Sequence, residues 1–440
     1  MTAYTKRLQK VTAVLCTTAL LAGCAAGTSD NTEPAATTAQ VKTITIEPTA
    51  AYQTMNGFGA SACWWSQEVG NWENAKDILS LLYDENSGIG LNIYRYNLGA
   101  GSKDDATITD PDRRAEAFID KDGSYHWERD AAAQNALALA RSMNEDLRVT
   151  LFSNSAPVFY TANGKAYCDY LPDEEKYVTN LEPERYADFA KYSIACAKHF
   201  TEAGYRVTGL SPINEPEWSW RGYEDGTAKQ EGCYYSKTQC RDLYKVFLKQ
   251  MAQEDALKDC RLEGWESGHI GTDTCMAYLK TMFGKSGVNG LKNNALRKGM
   301  PTLALHSYWA SPEEKQTFAN AIATTYGSNY KLALTEYCQM TEDQNSGVYD
   351  LIQKNGMDSG LGMEYGLALA GIIHQDLTVL NVVEWDWWTA CAFGGYTDGL
   401  VYRTRTAIKS KPPSGCGYWA TSPNSPTRVA YAFPLPYRRN

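Results

Sequence analysis

The chain has 440 residues, 43% apolar and 21% charged, with 35 glycines and 16 prolines, a globular balance that excludes collagen-like, coiled-coil and wholly disordered chains. A formal charge of −9 excludes general electrostatic attraction to nucleic acid, which needs clustered lysine and arginine. Aromatic residues make up 12% of the chain, and their flat faces suit a neutral partner such as a sugar ring, although most are expected in the core.

At the N-terminus, Lys6, Arg7 and Lys10 precede an apolar run over 11–21, the shape of a secretory signal and too short to span a bilayer comfortably. Leu21-Ala22-Gly23-Cys24 resembles a bacterial lipobox. Residues 1–23 are therefore expected to be removed and Cys24 to be lipidated, giving an exported lipoprotein anchored at the outer side of a membrane. The small polar residues of 24–42 read as a flexible tether.

From residue 43 onward, short β-branched or apolar runs alternate with longer helical patterns, the signature of repeated βα units on a parallel sheet. Eight runs end near Gly57-Phe58-Gly59, Arg95-Tyr96-Asn97, Phe152-Ser153-Asn154, Asn214-Glu215, Trp265-Glu266, His306-Ser307-Tyr308, Thr335-Glu336 and Glu384-Trp385. Helices are predicted between them over 75–83, 129–143, 183–203 and 240–252. The pattern predicts a (β/α)8 TIM barrel over 43–402, in which the ends of the strands gather on one working rim. Any one polar strand end has a structural reading, an arginine bracing a loop or a tryptophan sealing the barrel mouth. Together they point to one cleft.

Two carboxylates stand out. Val207 to Pro216 reads VTGLSPINEP, a strand running into Asn214-Glu215-Pro216, and the proline biases Glu215 toward extended backbone. Glu336 closes the run Leu332-Ala333-Leu334-Thr335. These are strands four and seven, whose ends oppose one another across a closed eight-stranded barrel. Paired carboxyls across a sugar site are what glycosidic cleavage needs: one protonates the leaving oxygen, and the other attacks the anomeric carbon or activates water. The chemistry needs no cofactor. With twelve cysteines, five histidines and no tight Cys/His cluster, no metal site is expected. Cys233 and Cys240 read either as a bridge or as reduced thiols.

Asn214-Glu215-Pro216 after strand four and a glutamate after strand seven resemble the retaining glycoside hydrolases of the large (β/α)8 clan. Gln53-Thr54-Met55-Asn56-Gly57-Phe58-Gly59, Tyr94-Arg95-Tyr96-Asn97-Leu98-Gly99, Phe152-Ser153-Asn154-Ser155-Ala156-Pro157, the run from Ser211 to Trp218, and Gln230-Glu231-Gly232-Cys233 resemble glycoside hydrolase family 30, most closely its endo-β-1,6-galactanase branch. The resemblance implies Glu215 as acid/base and Glu336 as nucleophile. It implies Asn214 on the sugar 2-hydroxyl, Arg95 in support of the nucleophile, and His306, Tyr308, Trp385 and Trp388 around the reacting sugar. Asn154 and the tryptophans Trp64, Trp65, Trp218 and Trp220 are further candidates for the substrate site, with Glu266 and Glu384 as reserve carboxylates.

In that family the segment Asp398-Gly399-Leu400-Val401-Tyr402 precedes a last barrel helix and the strands of a side β-sandwich. Residues 403–440 read instead as a proline-rich, strand-poor tail, and back-translation of 413–427 in another frame permits the family's helix pattern. The expectation is an aberrant, frameshifted tail with the sandwich largely missing and the strand-like run 41–46 unpartnered. The leading function is a retaining endo-acting β-glycanase that cuts β-1,6-galactan side chains of arabinogalactan as a monomer. Another family activity (glucuronoxylanase, β-1,6-glucanase, exo-β-glycosidase) and a catalytically impaired surface glycan-binding protein are the alternatives.

Overall fold

The computed structural model describes residues 47, 49–173, 176–284, 302–326, 330–355, 362–393, 396–403, 419–421 and 428–431. The expected signal and tether, Cys24 and the run 41–46 lie outside them. The chain divides into a short unit, 1–51, and a body, 52–440, and only the body concerns the site.

Eight parallel strands close into a barrel in sequence order: β1 (Gly57–Ser61), β2 (Ile93–Asn97), β3 (Arg148–Phe152), β4 (Arg206–Ser211), β5 (Arg261–Ser267), β6 (Thr302–His306), β7 (Leu332–Glu336) and β8 (Glu384–Trp387). The register Phe58↔Trp385 and Gly59↔Asp386 joins the last strand to the first. Strands such as β6 (TLALH) and β7 (LALTE) are buried along their whole length, because helices cover one face and the barrel interior the other. In β8 the alternation is visible by chemistry: Trp385 Nε1 donates to Asp376 Oδ2 in the helical layer, so Glu384 and Asp386 face the opposite way.

The helical layer holds α1 (Ser66–Val69), α2 (Ala75–Tyr83), α3 (Ala131–Met143), α4 (Tyr186–Glu202), α5 (Lys237–Met251), α6 (Asp273–Phe283), α7 (Pro312–Tyr326), α8 (Tyr349–Asn355) and α9 (Met363–Thr378). Ile78, Leu79, Leu82 and Tyr83 form the buried face of α2 at the spacing read in the sequence. Helix α5 starts three residues before the apolar pattern because Ser236 and Gln239 close a capping box. Helix α3 starts two residues after 129 because Asp130 sits at φ 52°. Pro183 opens a short 3-10 turn ahead of α4.

Among the described residues no helix follows β8. The chain passes instead into a four-stranded sheet of order β11-β12-β10-β9, made of β9 (Thr389–Phe393), β10 (Gly399–Arg403), β11 (Trp419–Thr421) and β12 (Arg428–Tyr431). The tail, expected to be strand-poor, contributes two short strands among its described residues. The runs WAT and RVAY carry aromatic and β-branched residues, and β12 pairs antiparallel with the free edge of β10.

Candidate active site

The C-terminal ends of five strands and the loops after them bring the titratable groups together. Arg95 projects from the middle of β2, Glu266 from the end of β5, His306 from the end of β6 and Glu336 from the end of β7. Asn214 and Glu215 lie just past β4. Arg95 Nη1 donates to Glu336 Oε2 at 2.7 Å, and Arg95 Nη2 donates to Asn214 Oδ1 at 3.1 Å. Tyr308 Oη donates to the other Glu336 oxygen at 3.1 Å. Both nitrogens of His306 are engaged, Nδ1 with Glu215 Oε1 at 3.0 Å and Nε2 with Glu266 Oε2 at 3.2 Å.

Charge explains how this largely buried cluster holds together. Burial works against a charged His306, but Glu336, Glu215 and Glu266 together outweigh it and push its pKa up to about 10. An imidazolium with a proton on each nitrogen donates to Glu215 Oε1 and to Glu266 Oε2 at once. It has no lone pair to offer a cation, although Glu215, His306 and Glu336 bring ligand-type atoms within 4.8 Å of one another. Burial also opposes ionisation of Glu266, yet hydrogen bonds from His306 and Ser211 and the nearby Arg95 hold its carboxyl at about 2. Glu336 is raised by burial and by Glu215, against the opposing pull of His306 and Arg95.

Glu215 does not adopt the extended backbone expected before Pro216. Its φ is 44°. Its N–H donates to Glu266 O at 2.9 Å, and its carbonyl accepts from Trp220 Nε1 at 2.8 Å, so the two flanking peptides are fixed from both sides. Such a conformation costs on the order of 1–3 kcal/mol and persists where surrounding contacts over-determine it.

Above this floor opens a cleft of about 740 Å3, lined by Asn214, Glu215, Glu336, Tyr308, Trp388 and Trp218 among others. His306, Arg95 and Glu266 are fully buried beneath it. Asn154, predicted at the substrate site, is buried and does not line the cleft; it donates to Asn97 Oδ1 at 3.2 Å. Three predicted site tryptophans do not line the cleft. Trp65 is in the core with its Nε1 on Ser61 O at 3.0 Å; its neighbour Trp64 packs edge-on against Trp388 at 5.6 Å. Trp385 faces α9, and Glu384 begins β8 rather than ending it, accepting from Asn56 Nδ2 at 3.2 Å. A strand that ends at Trp387 puts Trp388, not Trp385, on the rim. Trp220 lines the cleft as considered.

Trp309, Arg113 and Lys229 also line the cleft and were missed in the sequence. Trp309 directly follows His306-Ser307-Tyr308, and that position was the one available signal. Arg113 and Lys229 sit on long loops with no periodic pattern to place them. Glu231 of the Gln230-Glu231-Gly232-Cys233 motif turns out to be buried scaffolding, accepting from Ala100 N at 3.1 Å and Ser102 Oγ at 2.6 Å. The Cys233–Cys240 pairing is not formed: the nine described cysteines are free thiols, and Cys240 Sγ faces Tyr235 O at 3.8 Å. Cys416 lies outside the described residues.

A closed (β/α)8 barrel that sets two glutamates and several aromatic faces around one open cleft is the working arrangement of a glycoside hydrolase. The comparisons sharpen this: the model of O-glycosyl hydrolase family 30 matches residues 41–402, and the chain belongs to that family. An endo-β-1,6-galactanase of Hypocrea rufa is 30% identical over 219 residues, covering 44% of this chain and 43% of the relative. An exo-β-1,6-galactobiohydrolase of Bifidobacterium longum subsp. longum is 27% identical over 240 residues, covering 41% of this chain and 15% of the relative. The matches thus span less than half the length of these curated relatives. Among solved structures, a conserved exported protein from Bacteroides fragilis superposes with a TM-score of 0.67 at 25% identity, covering 84% of this chain and 75% of that one.

Proposed function

We propose that the protein is a retaining, endo-acting β-1,6-galactanase acting on the side chains of arabinogalactan. The observation that carries the reading is the pairing of Glu215 and Glu336 in one cleft, with carboxylate oxygens within 4.8 Å and different partners. Oxygens this close favour the retaining spacing, about 5–5.5 Å between carboxyl groups, over the inverting one, about 6.5–9.5 Å. Glu336, held by Arg95 and Tyr308, attacks the anomeric carbon. Glu215 gives its proton to the leaving oxygen, then takes one from the water that releases the glycosyl-enzyme. Asn214, fixed by Arg95, bonds the sugar 2-hydroxyl, and Trp388 and Trp218 offer ring faces to the substrate.

The β-1,6 linkage is supported by the two curated relatives, one named for endo and one for exo action. The exo relative favours, as a second reading, an enzyme that trims chain ends. The test is hydrolysis of β-1,6-galactan, glucuronoxylan and β-1,6-glucan by the wild-type protein beside Glu215→Gln and Glu336→Gln. Short galacto-oligosaccharides of mixed length from wild type alone support the proposal, whereas a single small product from the first minutes supports the exo reading. Retention on a galactan column without any product would instead mean a glycan-binding protein.

Anchoring through Cys24 remains part of the proposal, and the exported relative of known structure is in keeping with it. Cys24→Ala should move the protein from the membrane to the soluble fraction.

A further inference from the structure

A second cavity, of about 460 Å3, lies beside the catalytic cleft, and Trp218 lines both. The Trp218 ring is 39% exposed and meets Trp309 edge-on at 6.1 Å. Gly268 explains how this ring comes to lie beside the acid/base: a side chain there would begin 2.7 Å from both Glu215 Oε1 and Trp218 Nε1. Past Trp218 the cavity is walled by Tyr177 and Tyr234, whose rings meet edge-on at 5.3 Å, and Tyr177 is 45% exposed. Its polar lining includes Lys237, His269 and Glu217. Glu217 Oε1 is taken by Ser267 Oγ and Gly268 N, while its Oε2 is buried without a hydrogen-bond partner.

We infer that this second cavity binds the departing half of the glycan, the sugar units on the reducing-end side of the bond being cut. The inference rests on the acid/base role proposed for Glu215. A general acid must reach the leaving oxygen, so the departing sugar lies on the Glu215 side of the reacting centre, where Trp218 presents its face. The next unit then passes over Trp218 to the Tyr177–Tyr234 wall. A 1,6-linkage has one more rotatable bond than a linkage between two ring carbons, so the chain can bend across a protruding ring. Exposed aromatic rings beside hydrogen-bonding groups are what a sugar needs, an apolar face and a polar edge together.

Tyr177→Ala combined with Tyr234→Ala tests this on the full chain with two substrates: polymeric β-1,6-galactan, and an aryl glycoside of β-1,6-galactobiose, whose leaving group carries no sugar beyond Trp218. The expected result is a fall of at least tenfold in kcat/KM on the polymer, with the aryl glycoside changed by less than twofold. Equal losses on both substrates, or no loss on the polymer, would overturn the inference while leaving the galactanase reading intact. Wild-type inactivity on every β-glycan would remove the galactanase reading and the inference with it.

Discussion

His306 Nδ1 lies 3.0 Å from Glu215 Oε1, so a buried imidazolium holds one of the two cleft glutamates from below. Because its other nitrogen faces Glu266, the ring cannot turn without losing a charged partner. His306→Gln keeps part of the hydrogen bonding and removes the charge. It should lower kcat by about 10²–10³-fold, as loss of one preorganised donor does, with KM altered far less. Steady-state kinetics on the preferred glycan check this, and a variant with a raised KM but unchanged kcat would contradict it.

The same groups set the stability profile. His306 has a folded pKa of about 10 against an ordinary 6.5, so its contribution is complete below about 6.5 and is lost as pH rises toward 10. Glu266 is held at about 2 against an ordinary 4.5, so its contribution is present above about 4.5 and is lost as pH falls toward 2. Thermal unfolding should therefore show a plateau between the two windows and a falling Tm on each side. The alkaline fall should shrink in His306→Gln; an identical alkaline slope would mean that His306 is not charged in the folded state.

Arg95 is fully buried between Glu336 and Asn214, with its guanidinium 3.7 Å above the Phe152 ring. Removing one partner of a buried pair leaves the other charge unpaired, at about 3–5 kcal/mol. Arg95→Met should show that loss in denaturant unfolding and no measurable hydrolysis. A stable, active Arg95→Met would show that Glu336 does not depend on it.

Gly268→Ala separates activity from stability. The added carbon would press on Glu215 Oε1 and Trp218 Nε1 at 2.7 Å, both in side chains that can shift. Displacement of a reacting group by a fraction of an ångström costs up to about 10²-fold in rate. The expected variant has a near wild-type Tm and kcat reduced by about one to two orders of magnitude. Full activity would mean that Glu215 tolerates displacement.

Trp65 and Trp388 give a contrasting pair. Trp65 is in the core, so Trp65→Ala should cost about 3–5 kcal/mol of stability while the folded fraction keeps its KM. Trp388 lines the cleft, so Trp388→Ala should raise KM instead.

Several strand positions were legible because the strand is a short apolar run that ends abruptly in polar residues: Leu332 to Glu336 is both a predicted and an observed strand, whereas β8, Glu384 to Trp387, has no such run. Glu215, Glu336, Asn214, Arg95 and His306 could be found from sequence for the same reason, since a strand end fixes where its side chains go. Trp65 and Trp385 could not be told from site residues, because one residue of shift along a strand or turn exchanges cleft for core. Trp64, next to Trp65, packs on the cleft-lining Trp388, which lies three residues past Trp385. Glu266 illustrates the remaining gap. Its strand-end position marked it as a reserve catalytic acid, and only its contacts with Ser211, Thr335 and His306 identify it as a buried counterion. Arg113, Lys229 and the Tyr177–Tyr234 wall come from long loops, where no periodicity carries spatial information.

The most direct test of the double-displacement proposal is proton NMR of the first product released from β-1,6-galactan. Nucleophilic attack by Glu336 followed by water predicts that the β-anomer of the new reducing end appears first and the α-anomer only later, by mutarotation. An α-anomer appearing first would contradict the retaining pair, and with it the roles given to Glu215 and Glu336.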